Sequence, residues 1–142
     1  MRRYYSSLAA VRDPALAQKI AQIALSEEIA PQAESLRLQL IVRLAGEHPQ
    51  LAWDVFRENS ERLLKPQAAN APLTVADYLP EWFWRGVPIA EIETWVRAHV
   101  PSEMEPFVAR GMDSAKFRVA EKQMLVSATA DYLRQETQHA GL

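Results

Sequence analysis

The sequence predicts an all-α protein built as a right-handed solenoid of antiparallel helix pairs. The main observation is a repeat: residues 13–17 (DPALA) recur as residues 48–52 (HPQLA), with Pro14 and Pro49 in register. Each repeat opens an amphipathic run, and proline suits the first turn of a helix because its missing N–H has no intrahelical partner there. Recurring helix starts are typical of stacked helix pairs, each of which buries its apolar face on the next.

The composition limits the classes of function. The chain has 142 residues, which suits one domain, and 49% of them are apolar, more than a disordered chain carries. The net charge is −2, so we expect no nucleic-acid partner. The absence of cysteine excludes disulfides, cysteine-ligated zinc and thiol nucleophiles. Since we find neither a membrane-spanning stretch nor a secretory signal, we expect a cytoplasmic protein.

Four helices are expected in the first half of the chain. The first runs from about Arg3 to Val11, and Asp13 then caps a second helix. The fourth begins at Pro49 and ends near Lys65. The second helix carries an apolar stripe at helical spacing, made of Leu16, Ala17, Ile20, Ile23 and Ala24.

The third helix is the ambiguous element. Residues 36–40 alternate between apolar and polar, as a strand would, but Pro31, Gly46 and the length between them favour a helix. Because apolar residues occupy most of its sides, this helix should lie at the centre of the fold.

Three more segments follow. Residues 66–72 form the loosest one, Thr74 is expected to cap a short fifth helix that ends at Gly86, and Pro88 opens the sixth. Pro80 must lie near the start of the fifth helix, where proline is tolerated.

The last helix is the longest. Ser102 and Glu105 have the spacing of a capping box at its start, Gly111 is a candidate break, and residues 138–142 should fray. Its apolar face consists of Phe117, Ala120, Leu125, Ala128, Tyr132 and Leu133.

No constellation of residues predicts catalysis, so we expect no catalytic residue and no metal ligand. The chain lacks the HExxH, GxSxG, GxGxxG and P-loop patterns. Glu27 and Glu28 suit a solvated turn, and Glu91 and Glu93 lie on different sides of a helix. The three histidines are not spaced for a helical zinc pair; they are His48, His99 and His139.

Aromatic residues and arginines offer binding chemistry instead. The aromatic side chains either line a peptide groove or, as we favour, fill the gap between helix pairs; they are Tyr78, Trp82, Phe83, Trp84 and Trp95. An arginine binds a carboxylate through two parallel hydrogen bonds. The candidates that lie on or beside apolar or aromatic segments are Arg37, Arg43 and Arg85.

Three stretches resemble a known family: residues 12–20 (RDPALAQKI), 24–32 (ALSEEIAPQ) and 51–59 (LAWDVFREN). They are similar to the C-terminal helical domain of gluzincin zinc aminopeptidases, the group of puromycin-sensitive aminopeptidase, endoplasmic-reticulum aminopeptidase and aminopeptidase N. The likeness is close over residues 10–65 and extends by pattern to about residue 135. It departs from the family at Ser60 and over residues 78–86.

The resemblance implies a HEAT- or armadillo-like domain that closes over a catalytic domain, shapes the peptide chamber and contacts the far end of the peptide. The family's GxMEN-type and HExxH motifs do not occur here, so the zinc would belong to a catalytic domain outside this chain. The family's helical domain is longer, so we expect residues 1–142 to be one helical repeat domain that is the final portion of it.

Two functions are therefore expected. In the first, the chain is a non-catalytic part of a zinc aminopeptidase, with the catalytic domain and the peptide as partners. In the alternative, it is a free-standing helical-repeat module that binds another protein. A slice of a solenoid leaves one face bare, so self-association is also expected through Tyr4, Leu8, Ile20 and Ile23.

Overall fold

The computed structural model describes residues 11–141, and every regular element in that range is helical. We number the helices α1 (Pro14–Leu25), α2 (Ser35–Leu44), α3 (Pro49–Leu64), α4 (residues 71–83), α5 (Ile89–His99) and α6 (Glu105–Ala140). Helix α4 combines α-helical turns at Ala71–Leu73 and Leu79–Phe83 with a π-helical segment, Thr74–Tyr78, between them. Short 3₁₀ segments precede α2, α4 and α6; they are Pro31–Ala33, Lys65–Asn70 and Ser102–Met104.

Helix α1 begins as predicted. The carboxylate of Asp13 accepts hydrogen bonds from the backbone N–H groups of Ala15 and Leu16, at 2.8 and 3.0 Å. The predicted stripe is wrong at Leu16, which is 47% exposed. The buried face is made of Ala17, Ile20, Ala21 and Ala24, whose small residues let α2 approach closely. The helix predicted from Arg3 to Val11 lies outside the described residues except for Val11, and Val11 is not helical.

Helix α2 lies at the centre of the first half, because it packs against both α1 and α3. Residues 36–40 are helical, so the helix interpretation of that stretch is confirmed. Leu40, Ile41 and Leu44 are fully buried. The α-helix starts at Ser35 rather than at Pro31, where a 3₁₀ turn comes first.

The segment around Pro80 differs most from the prediction. Thr74 is not a helix cap: it is buried at the start of the π-helical segment, where the N–H of Leu79 bonds to the Thr74 carbonyl five residues back. Pro80 follows directly and has no N–H to donate to the Ala76 carbonyl, its partner in an ordinary α-helix. The wider π turn before Pro80 lets the chain continue as a helix through the proline. The loose segment predicted before it is mostly 3₁₀ helix.

The start of α6 lacks the predicted capping box. Ser102 begins a 3₁₀ turn and makes no capping hydrogen bond, and Glu105 pairs with Arg97 of α5 instead. Gly111 does not break the helix, and α6 continues to Ala140. None of the helices described is both long and apolar enough to cross a membrane.

Gly111 allows α6 to lie directly against α4. A Cβ atom at Gly111 would lie 2.4 Å from the Ala76 carbonyl oxygen, closer than any side chain tolerates. That carbonyl is the one whose helical donor Pro80 removes. The proline, the π turn and the glycine therefore act together to bring the two backbones into contact.

An aromatic cluster fills the space between α3, α4 and α5. Trp53 packs edge-on against Phe83 at 5.1 Å between ring centroids, and Phe56 packs on Trp95 at 5.4 Å. All four rings are buried. The preferred interpretation, in which aromatic side chains fill the space between helices, is therefore confirmed for Phe83 and Trp95. It is wrong for Tyr78, which is 54% exposed.

Helix α6 is buried only in its first part. Val108, Met112 and Ala115 are buried against α4 and α5. Ion pairs to those helices lie on both sides of this contact; they are Arg110 with Asp77, Lys116 with Glu93, and Arg118 with Glu81. The larger residues of the predicted apolar face, from Phe117 to Leu133, are more than half exposed.

We expect Gly111→Ala to lower the free energy of unfolding by about 2 kcal/mol or more, because overpacking against a backbone carbonyl forces α6 and α4 apart. The matched control is Gly141→Ala, where the new Cβ would meet only ordinary contacts at 3.6 Å or more. That variant should change the free energy by less than about 0.5 kcal/mol. Urea denaturation followed by circular dichroism measures both, and equal values would contradict the close approach at Gly111.

Candidate peptide-binding site

Arg37, the first of the three candidate arginines, is 1% exposed and has all five N–H donors engaged. Its Nη1 donates to the carbonyls of Ala24 and Ser26 at 2.9 and 2.6 Å, and Nη2 donates to that of Ile29 at 3.3 Å. Nε and Nη2 donate to the Glu34 carboxylate at 2.9 and 3.0 Å. Arg37 therefore binds the turn between α1 and α2 and has no N–H left for a peptide carboxylate.

The same contact affects Glu34. The hydrogen bonds from Arg37 lower the pKa of the Glu34 carboxyl below its ordinary value. Because the folded state has the lowered pKa, the pair stabilises the fold above the pKa of the unfolded state. That contribution is lost as the pH falls through the pKa of the folded state.

Arg43, the second candidate, lies on the rim of a groove between α2, the end of α3 and α4. The groove has a volume of about 380 Å³. Its other lining residues include the apolar Leu38, Val42 and Leu63 and the half-buried indole of Trp82. One cation beside an apolar, aromatic-walled groove suits a peptide side chain as well as a carboxylate.

Arg85, the third candidate, belongs to a different groove of about 520 Å³ between the end of α4 and the middle of α6. Its guanidinium carbon lies 5.6 Å from the centre of the Trp84 ring, and Lys122 Nζ lies 6.0 Å from the same ring. Both distances are those of cation–π contacts. Val119 and Val126 supply the apolar part of the lining. This groove thus combines two cations, one indole and an apolar floor.

The two grooves lie on different sides of the end of α4. Trp82 and Trp84 are two residues apart, so their side chains project to nearly opposite sides of the helix. Arg85 Nη1 lies 3.9 Å from where a Cβ atom at Gly46 would be, just after the end of α2, the helix that carries Arg43.

The aromatic residues singled out in the sequence are divided between two places. Phe83 and Trp95 fill the core, and Trp82 and Trp84 face the grooves.

The other polar candidates serve the fold. His48 precedes α3, and its Nε2 lies 2.8 Å from the carbonyl oxygen of Val11. His99 stacks on Trp95 at 3.8 Å between ring centres. Glu91 accepts a hydrogen bond from Trp53 Nε1 at 2.7 Å, whereas Glu93 pairs with Arg97. Within residues 11–141, no three histidine, aspartate or glutamate side chains are grouped to hold a metal ion.

Comparison of the chain with family models, curated proteins and solved structures finds no match. The resemblance to the zinc aminopeptidases therefore rests on the residues 12–20, 24–32 and 51–59 alone.

Lys122 is the groove residue that sequence reasoning missed. It lies 37 positions after Arg85 in the chain, and only the packing of α6 beside α4 brings the two cations to one ring. The apolar neighbours Val119 and Val126 at helical spacing were the available signal.

We expect Arg37→Met to lower the free energy of unfolding by about 3–5 kcal/mol, because it leaves buried carbonyls and the Glu34 carboxylate without their donor. Arg37→Lys should recover little of this free energy, since an ammonium group lacks the planar, five-donor geometry of the guanidinium group. Arg43→Met is the matched control: it lies on the same helix, is exposed, and should cost less than about 1 kcal/mol. Chemical denaturation of the three variants is the measurement, and equal losses at both positions would contradict the role of Arg37.

Proposed function

We propose that this chain is a non-catalytic helical domain that binds the carboxylate end of a peptide in the groove of Trp84, Arg85 and Lys122. We further propose that its helix pairs form a HEAT- or armadillo-like solenoid in the C-terminal part of a zinc aminopeptidase. The zinc site then lies in the catalytic domain of that enzyme, and this chain forms part of the wall of the peptide chamber.

One observation carries the binding proposal: Arg85 and Lys122 both lie within about 6 Å of the centre of the Trp84 ring, in a groove that Val119 and Val126 also line. A guanidinium group binds a carboxylate through two parallel hydrogen bonds, and a second cation nearby adds to the attraction. Val119 and Val126 offer surface to the side chain of the last residue. The ligand class that fits is a peptide with a free carboxylate and an apolar last residue.

The aminopeptidase context is supported by the three resembling stretches and by the direction of a bound peptide. An aminopeptidase holds the N-terminus of its substrate at the metal, so the carboxylate of the substrate extends toward a neighbouring domain. A helical domain with a cationic groove would anchor it there.

The alternative is a free-standing module that binds a protein partner, and the exposed apolar residues of α6 favour it. A neighbouring reading frame that encodes HExxH, with a product that co-purifies with this chain, would support the aminopeptidase context. Co-purification with an unrelated protein would support the alternative.

We expect the chain to bind a fluorescent peptide that ends in Leu with a free carboxylate more tightly than the same peptide with a C-terminal amide. Arg85→Ala and Lys122→Ala should each remove most of this preference, a loss of about tenfold, because each deletes a charged hydrogen-bond donor. Fluorescence anisotropy measures the affinities.

Arg43→Ala, in the other groove, is the matched control and should leave the preference unchanged. If Arg43→Ala alone removes the preference, the peptide end lies at Trp82 instead. If wild type shows no preference for the acid, the carboxylate site is wrong and only the wall-forming role survives.

We also expect the chain alone to hold no zinc and to hydrolyse no aminoacyl-arylamide substrate, because the family's zinc ligands and general base lie in the catalytic domain. Metal analysis of the purified protein and a chromogenic assay test this. One zinc per chain together with hydrolysis would contradict a non-catalytic role.

A further inference from the structure

Helix α6 carries a stripe of residues that begins inside the fold and continues beyond it. The stripe includes the buried residues Val108, Met112 and Ala115. At the same three- and four-residue spacing it then runs through Lys122, Leu125, Val126, Thr129, Tyr132, Leu133 and Glu136. The four apolar members of this second part are 57–64% exposed. The face that α4 and α5 cover at the start of α6 is thus largely exposed in its second part, where Lys122 still lies 6.0 Å from the centre of the Trp84 ring.

The open part of the stripe is chemically symmetric about Thr129. Val126 and Leu125 precede Thr129 by three and four residues, and Tyr132 and Leu133 follow it at the same separations. Lys122 precedes it by seven residues and Glu136 follows it by seven. Apolar residues are therefore matched with apolar residues, and the cation is matched with a carboxylate.

From this symmetry we propose that α6 pairs with α6 of a second copy of the chain, antiparallel, about a two-fold axis beside Thr129. A two-fold interface places the same patch of both copies against each other, so residues equally far from the axis meet. Val126 then lies level with Tyr132 of the second copy, about 4.5 Å along the helix from the axis, and Leu125 lies level with its Leu133, about 6 Å from the axis. Thr129 faces Thr129, where a small side chain lets the helices approach.

The charges select the antiparallel arrangement. It places each Lys122 level with Glu136 of the second copy, about 10 Å from the axis at each end. A parallel pairing would place Lys122 beside Lys122 and Glu136 beside Glu136, and like charges across an interface are unfavourable. Of the face that the sequence predicts to self-associate, Ile20 is 5% exposed and thus buried within the chain, and Tyr4 and Leu8 lie outside the described residues.

The mass of the chain over a series of concentrations, measured by analytical ultracentrifugation, tests the pairing. We expect a dimer that Val126→Glu and Leu133→Glu each weaken by about tenfold or more in dissociation constant. Met124→Glu is the matched control, because Met124 is 73% exposed but lies about 140° around the helix from Thr129. All three positions are exposed, so circular dichroism should show unchanged folding.

A monomer at every concentration would overturn the proposal. So would a dimer that Met124→Glu or Ile23→Glu weakens while Val126→Glu does not, since the contact would then lie elsewhere.

Charge reversal tests the register. Lys122→Glu and Glu136→Lys should each weaken the dimer, and the double variant should recover the wild-type dissociation constant because the pairs form again with opposite sign. Lack of recovery would overturn the register about Thr129. The mass is measured without peptide, because the pairing uses Lys122 and Val126, which also line the groove proposed for the peptide.

Cross-linking tests the direction, because the chain has no cysteine of its own. Thr129→Cys should form a disulfide-linked dimer on mild oxidation. Ala140→Cys should not, because the antiparallel pairing holds the two positions about 33 Å apart along the helix. A dimer cross-linked at position 140 and not at position 129 would overturn the proposal.

Discussion

The carboxyl end of α1 is held by two arginines, and the first half of the fold depends on this contact. Arg37 of α2 binds the carbonyls of Ala24 and Ser26, and Arg62 of α3 donates to that of Leu25 at 2.8 Å. The last carbonyls of a helix have no intrahelical donors and carry partial negative charge, so a guanidinium group satisfies them in both respects. The contact thus fixes α1 to both helices that follow it, and α2 becomes the centre.

The second half is joined to the first mainly by aromatic packing, beside an ion pair of Arg57 with Glu91 at 3.8 Å. Trp53 and Phe56 of α3 lie against Phe83 of α4 and Trp95 of α5, and the Trp53 indole is fixed by its hydrogen bond to Glu91. Ring pairs of this geometry add to the burial of their large apolar surfaces. The end of α4 is consequently anchored in the core by Phe83, and it carries Trp82 and Trp84 to their grooves.

The sequence predicts well those features that neighbouring residues determine. Asp13 with Pro14, and the matching Pro49 of the repeat, mark helix starts because capping and the fixed φ of proline are local effects. It predicts poorly the features that depend on distant partners. Ser102 and Glu105 have capping spacing, but Glu105 pairs with Arg97 instead. Arg37 is bound by three carbonyls only because the end of α1 and the turn after it fold around its side chain, and Lys122 meets Trp84 only after α6 docks.

The length of α6 has a mechanical consequence. Its 36 residues span about 54 Å, and its contacts with α4 and the residues after it continue to Lys122 beside Trp84, so some 27 Å of helix extend beyond the last of these contacts. A tilt of about 10° at Lys122 moves the far end by about 5 Å at that length. The helix therefore acts as a lever that is held by its contacts from Gly111 to Lys122. Small shifts in the packing of α4 therefore displace the far end of α6, near Ala140, by about the length of a side chain.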